Sequence, residues 1–140
     1  MVDGKLLFFR GKRILDAVLD FLKLNHGLGA ATEVLLSGGS AGGLSTFLHA
    51  DYVRSHFSPE VKFGAAPVSG FFLLHDTVQG ANQYPANMEY VYRMMNSSGG
   101  VNQRCRVAQA AAAPDEAWKC IFANFSYRHR LIILRTVNLL

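Results

Sequence analysis

Five consecutive residues, Gly38-Gly39-Ser40-Ala41-Gly42, form a pattern able to make and break a covalent bond. A serine flanked in this way matches G-x-S-x-G, the nucleophile elbow. A serine raised to the top of a sheet sits on a strand-to-helix turn tight enough to strain its own backbone. Side chains two positions to either side would collide with the neighbouring strand and helix, so glycine at 38 and 42 is expected to remove those collisions. The turn then sets Ser40 at the start of a helix. There the backbone N–H of Ala41 can face a developing oxyanion, and the helix dipole favours negative charge. The chemistry this predicts is acyl transfer, with Ser40 as nucleophile and Ala41 contributing to the oxyanion hole.

The same glycines could build a phosphate-binding turn, since strand, glycines and helix in that order are its architecture too. No Lys-Ser/Thr pair follows them, however, and the spacing does not give G-x-G-x-x-G. The acyl-transfer reading is therefore preferred. It requires a histidine to take the serine proton and a carboxylate to orient that histidine, in the chain order serine, acid, histidine. Of the 5 histidines, His26 precedes the elbow, and His49 and His56 lie on the helix leading away from it. His75 is adjacent to Asp76, and neighbours rarely orient one another as base and acid. His129 follows Asp115 and Glu116 in the right order but sits in a tail of different character. None completes a triad convincingly.

The elements that must position the elbow can be read from periodicity. Residues 6–9 are a short apolar run. A helix is predicted over 13–24, with Ile14, Val18, Phe21 and Leu22 on one face and Asn25-His26-Gly27 as its stop. Residues 33–37 read as a central parallel strand that enters the glycines without a spacer. Leu44, Phe47, Leu48 and Tyr52 fall at helical spacing, in a helix running to about His56. A second strand is expected over 61–66, ended by Pro67, and 71–74 is ambiguous between strand and turn. Residues 76–84 read as loop, and helices are expected over 86–95 and 104–113.

Composition agrees with an α/β enzyme. Half of the 140 residues are hydrophobic and 17% are charged, the balance of a buried sheet and not of a disordered chain. Arg128, Arg130 and Arg135 supply three of the four net positive charges, so no basic stripe runs through the body and no nucleic-acid partner is expected. The two cysteines, Cys105 and Cys120, are far apart and show no metal-ligand spacing with histidine. No metal and no cofactor is expected. A disulfide and two buried free thiols are both compatible with them. The first residues do not form a signal peptide, and no apolar run is long enough to span a membrane. Residues 1–127 are treated as one unit and 128–140 as a divergent tail.

Several segments in order resemble the pectin acetylesterase family of α/β-hydrolase-fold carboxylesterases, which includes the lipid deacylase Notum. They are Leu36-Ser-Gly-Gly-Ser-Ala-Gly-Gly-Leu44, Phe47-Leu-His-Ala-Asp51 and Ser69-Gly-Phe-Phe-Leu73, bracketed by Phe9-Arg-Gly-Lys-Arg-Ile14 and Trp118-Lys-Cys-Ile-Phe-Ala123. The resemblance implies the central portion of an α/β-hydrolase domain with a mainly parallel sheet. It also implies a secreted serine esterase that deacylates a polysaccharide or a lipidated protein. Ser40 matches the family's nucleophile, and Cys105 and Cys120 match a family cysteine pair. The sequons at Asn96 and Asn124 fit a secretory route as possible glycosylation sites. The family's glycine-rich oxyanion loop and its catalytic aspartate and histidine are expected outside these residues. Gly39 and Ala50 stand where plant members usually have cysteine, and Val68 replaces a frequent aspartate. The alternative expectation is a non-catalytic fragment or pseudoenzyme lacking the acid and base.

Overall fold

The computed structural model describes Gly4 and residues 6–130. The expectations for the extreme N-terminus, and for most of the 128–140 tail, lie outside the described residues. The chain divides into two compact units, one through Thr32 and one from Glu33 onward.

In the first unit, helix α1 spans Gly11–Asn25. It stops where the sequence places a stop. The backbone N–H of His26 donates to Leu22 O at 3.0 Å, and Gly27 turns left-handed at φ 75°. Such a conformation is open to glycine without a Cβ penalty. Of the expected apolar stripe, Ile14, Val18 and Phe21 are exposed and Leu22 is half-buried, while Leu19 is the buried residue of the helix. Leu19 lies one position on from Val18, about 100° around the helix axis.

The second unit opens with strand β1 (Glu33–Gly39), helix α2 (Ala41–Arg54) and strand β2 (Lys62–Val68). The strands pair in parallel from Glu33 with Lys62 to Gly39 with Val68. Phe47 and Ala50 of α2 share a buried core with Ala65 of β2 and with Ala123 from further along the chain, with Leu36, Phe63 and Phe71 at the margin. Alanine at 50 and 65 lets the helix approach the sheet closely while Phe47 fills the remaining space. Pro67 was expected to end the second strand, yet the strand continues through it to Val68. Val68 O accepts the N–H of Ser40, so Val68 faces β1. Backbone groups alternate in direction along a strand, so the Pro67 nitrogen faces the opposite edge, where its missing N–H removes no bond to β1.

Residues 69–82 form neither helix nor strand. Helix α3 (Gln83–Met94) begins earlier than expected, with Pro85 in its first turn, where helical N–H groups have no partner to lose. Helix α4 (Gln103–Ala112) is capped by Asn102, whose Oδ1 accepts the N–H of Cys105 at 3.0 Å. A 3-10 segment, Pro114–Ile121, and a short helix α5 (Ala123–Ser126) follow. The 3-10 segment escaped the sequence reading because its repeat of three does not produce the 3.6-residue pattern. Cys105 and Cys120 are joined as a disulfide at the centre of a cluster containing Tyr92, Val101, Ile121 and Phe122.

Candidate active site

Ser40 occupies the single residue between β1 and α2, at φ 52° and ψ −115°. A non-glycine residue with positive φ is uncommon, and here it sits in a sparsely populated region that surrounding structure must enforce. The enforcing contacts are visible. The N–H of Ser40 donates to Val68 O, in the last residue of β2, at 3.0 Å, which extends the sheet pairing one residue past the end of β1. The first bond of α2 runs from Leu44 N–H to Ser40 O at 2.9 Å. The N–H groups of Ala41, Gly42 and Gly43 therefore precede the helical ladder. Ser40 and Ala41 are both exposed. A carbonyl oxygen lodged beside Ser40 could take the N–H of Ala41 within the positive end of the α2 dipole.

The glycines divide differently from the sequence expectation. A Cβ on Gly38 would lie 2.5 Å from Gly42 O and 3.0 Å from Thr46 Oγ1, so position 38 is closed to any side chain. A Cβ on Gly42 would meet nothing, so the steric role expected at 42 belongs elsewhere. It falls on Gly43, whose Cβ would overlap Val68 O and lie 3.0 Å from Gly70 Cα. Gly70 in turn abuts the Gly43 backbone so closely that a Cβ there would overlap Gly43 C and O. Gly42 takes part through its carbonyl, which crowds Gly38.

Four of the histidines have ring contacts with residues other than Ser40. His49 Nδ1 lies 3.0 Å from Ser45 O, and His75 Nδ1 lies 2.7 Å from Asp76 O. His56 packs edge-on against Tyr52, and the His26 ring lies tilted against Phe21. His129 has its pKa lowered, first by burial and then by the Arg128 charge. Asp51 accepts a hydrogen bond from Asn102 Nδ2 at 2.8 Å, tying α2 to the cap of α4. This link joins the elbow helix to the disulfide region, and sequence reasoning missed it because its partners are 51 residues apart. Arg130 lies over the Phe47 ring at 4.5 Å, and burial pushes its pKa down to about 10, against the opposing pull of Asp51. Among the described residues, no group of three or more His, Cys, Asp or Glu side chains could hold a metal ion. Of the sequons, Asn96 is exposed at a left-handed turn, φ 49°. Asn124 Oδ1 accepts the N–H of Leu74 at 3.2 Å, and Ser126 is fully buried with its hydroxyl donating to Phe122 O.

The parallel strand–turn–helix–strand with an exposed serine at the turn has an α/β fold of α/β-hydrolase type. The structure of the Wnt deacylase Notum from Drosophila matches it with a TM-score of 0.74 and 24% identity, over 92% of this chain and 38% of that chain. The chain belongs to the pectinacetylesterase family, whose sequence model matches residues 2–132 and so runs past Tyr127. Pectin acetylesterase 5 of Arabidopsis thaliana is 32% identical over 123 residues, which is 86% of this chain and 26% of that protein. Palmitoleoyl-protein carboxylesterase NOTUM of Schmidtea mediterranea is 28% identical over 139 residues, 88% of this chain and 24% of its own length. The chain thus spans roughly a quarter of the curated relatives it matches.

Proposed function

We propose that this chain carries the nucleophile-bearing portion of a serine carboxylesterase of pectin acetylesterase type. The observation that carries the reading is the backbone of Ser40, a left-handed serine exposed between a parallel strand and a helix N-terminus. In this reading Ser40 Oγ attacks an ester carbonyl carbon while a histidine from outside the described residues takes the hydroxyl proton. The Ala41 N–H helps hold the oxygen of the tetrahedral intermediate. That intermediate collapses by breaking the bond to the alcohol oxygen, which leaves with the proton, and water then hydrolyses the acyl-serine.

Acyl esters are the substrate class, and an acylated glycan or lipidated protein is the proposed partner. The disulfide and the exposed Asn96 support a secretory route. No described helix is long and apolar enough to cross a membrane.

The reading is tested with a fluorophosphonate, which phosphonylates activated serine hydroxyls. The folded chain should be labelled on Ser40, and the Ser40→Ala protein should not be labelled. A folded chain that takes no label would favour a non-catalytic fragment.

A further inference from the structure

Ser40 is not the only strained serine at the sheet's carboxyl edge. Gly39 and Val68 are paired partners, so Ser40 and Ser69 leave adjacent strands at the same level. Both have positive φ, 52° at Ser40 and 50° at Ser69. Two non-glycine residues side by side in this region need a common cause, and the glycine contacts supply it. Turning left-handed at Ser69 brings Gly70 back beneath the first turn of α2, backbone against backbone with Gly43. The same approach seats Val68 O where a Cβ of Gly43 would be, and Val68 O is the acceptor that holds the Ser40 N–H at 3.0 Å. The elbow is thus gripped from outside its own motif. β1 and α2 supply the bend, and the end of β2 supplies the surface it is pressed against.

We propose that Gly70, with the left-handed turn at Ser69, is a positioning element for the nucleophile, fixing Ser40 through Val68 O and Gly43. This rests on Ser40 being the nucleophile. Gly70 touches no reacting atom. Its role is to keep the hydroxyl and the Ala41 N–H in register, and a misplacement of about 1 Å at such a centre can cost roughly a hundredfold in rate.

The test compares Gly70→Ala with Gly64→Ala in the full chain. Gly64 lies in β2, the strand that leads to Gly70, where an added Cβ makes an ordinary 3.5 Å contact with Leu35 Cδ1. Fluorophosphonate labelling is followed against reagent concentration, which separates reagent affinity from the maximal rate. Amide exchange at Ser40 reports the bond to Val68 O independently. Gly70→Ala should lower the maximal rate by roughly a hundredfold with affinity retained, and should speed Ser40 exchange, while Gly64→Ala changes neither. A folded Gly70→Ala chain with the rate and exchange of the parent would overturn the proposal. If Gly70→Ala does not fold, Ser69→Val asks the same question without adding an atom next to Gly43, since a β-branched residue resists positive φ. A parent-like rate and exchange in that variant would equally overturn it. If the parent takes no label, the esterase reading fails by itself, and exchange at Ser40 still decides the role of Gly70.

Discussion

The elbow and the disulfide-centred helices hold their backbones by contrary means. Around Cys105 and Cys120 the structure is kept by what side chains fill, with Tyr92, Val101, Ile121 and Phe122 packed about a covalent bridge. At the elbow it is kept by what side chains leave empty. Gly38, Gly43 and Gly70 let three backbone segments approach to distances that a single Cβ would forbid. The first arrangement stabilises and tolerates changes of shape at modest cost. The second holds Ser40 in a conformation that costs free energy and offers its hydroxyl to solvent. The braced region and the proposed reactive turn thus lie in separate parts of one unit, with the hydrogen bond from Asn102 to Asp51 linking α2 to the first of them.

This contrast can be broken from either side, and the largest effect should come from the filled region. Changing Cys105 and Cys120 together to serine removes a bridge that closes a separation of 15 residues, and should lower unfolding free energy by about 3 kcal/mol. Urea unfolding with and without the substitutions measures this. A loss below about 1 kcal/mol would mean that packing alone holds the helices. A smaller effect of opposite sign is expected at the elbow. Ser40→Gly relieves a positive φ and should raise stability by about 1 kcal/mol in the same assay while abolishing fluorophosphonate labelling. Unchanged or lower stability would show that the bend carries no strain.

Much of the elbow was legible in the sequence because its determinants are local. The strand run, the glycines and the helical spacing of Leu44, Phe47 and Leu48 are contiguous, and the resulting order β1–Ser40–α2 is what the structure has. The assignment of steric need to Gly42 was wrong because the motif records which positions are small, not which backbone each one faces. Gly43 and Gly70 meet although far apart in the sequence, and no periodicity reports a contact of that kind. Pro67 misled for a related reason. A proline forbids a donor in one direction only, and which direction matters depends on the partner strand. The pairing of Cys105 with Cys120 entered through family resemblance, since the residues alone left two buried free thiols as the default and a disulfide as the alternative.

Ser40 is held against its own backbone preference. A crystal structure of the chain, at a resolution that defines the backbone from 36 to 46, measures this directly. The account predicts positive φ at Ser40, its N–H on Val68 O, and its Oγ open to solvent above the start of α2. A relaxed loop there, or an unbroken helix with the serine hydroxyl buried, would contradict it and remove the basis for an esterase.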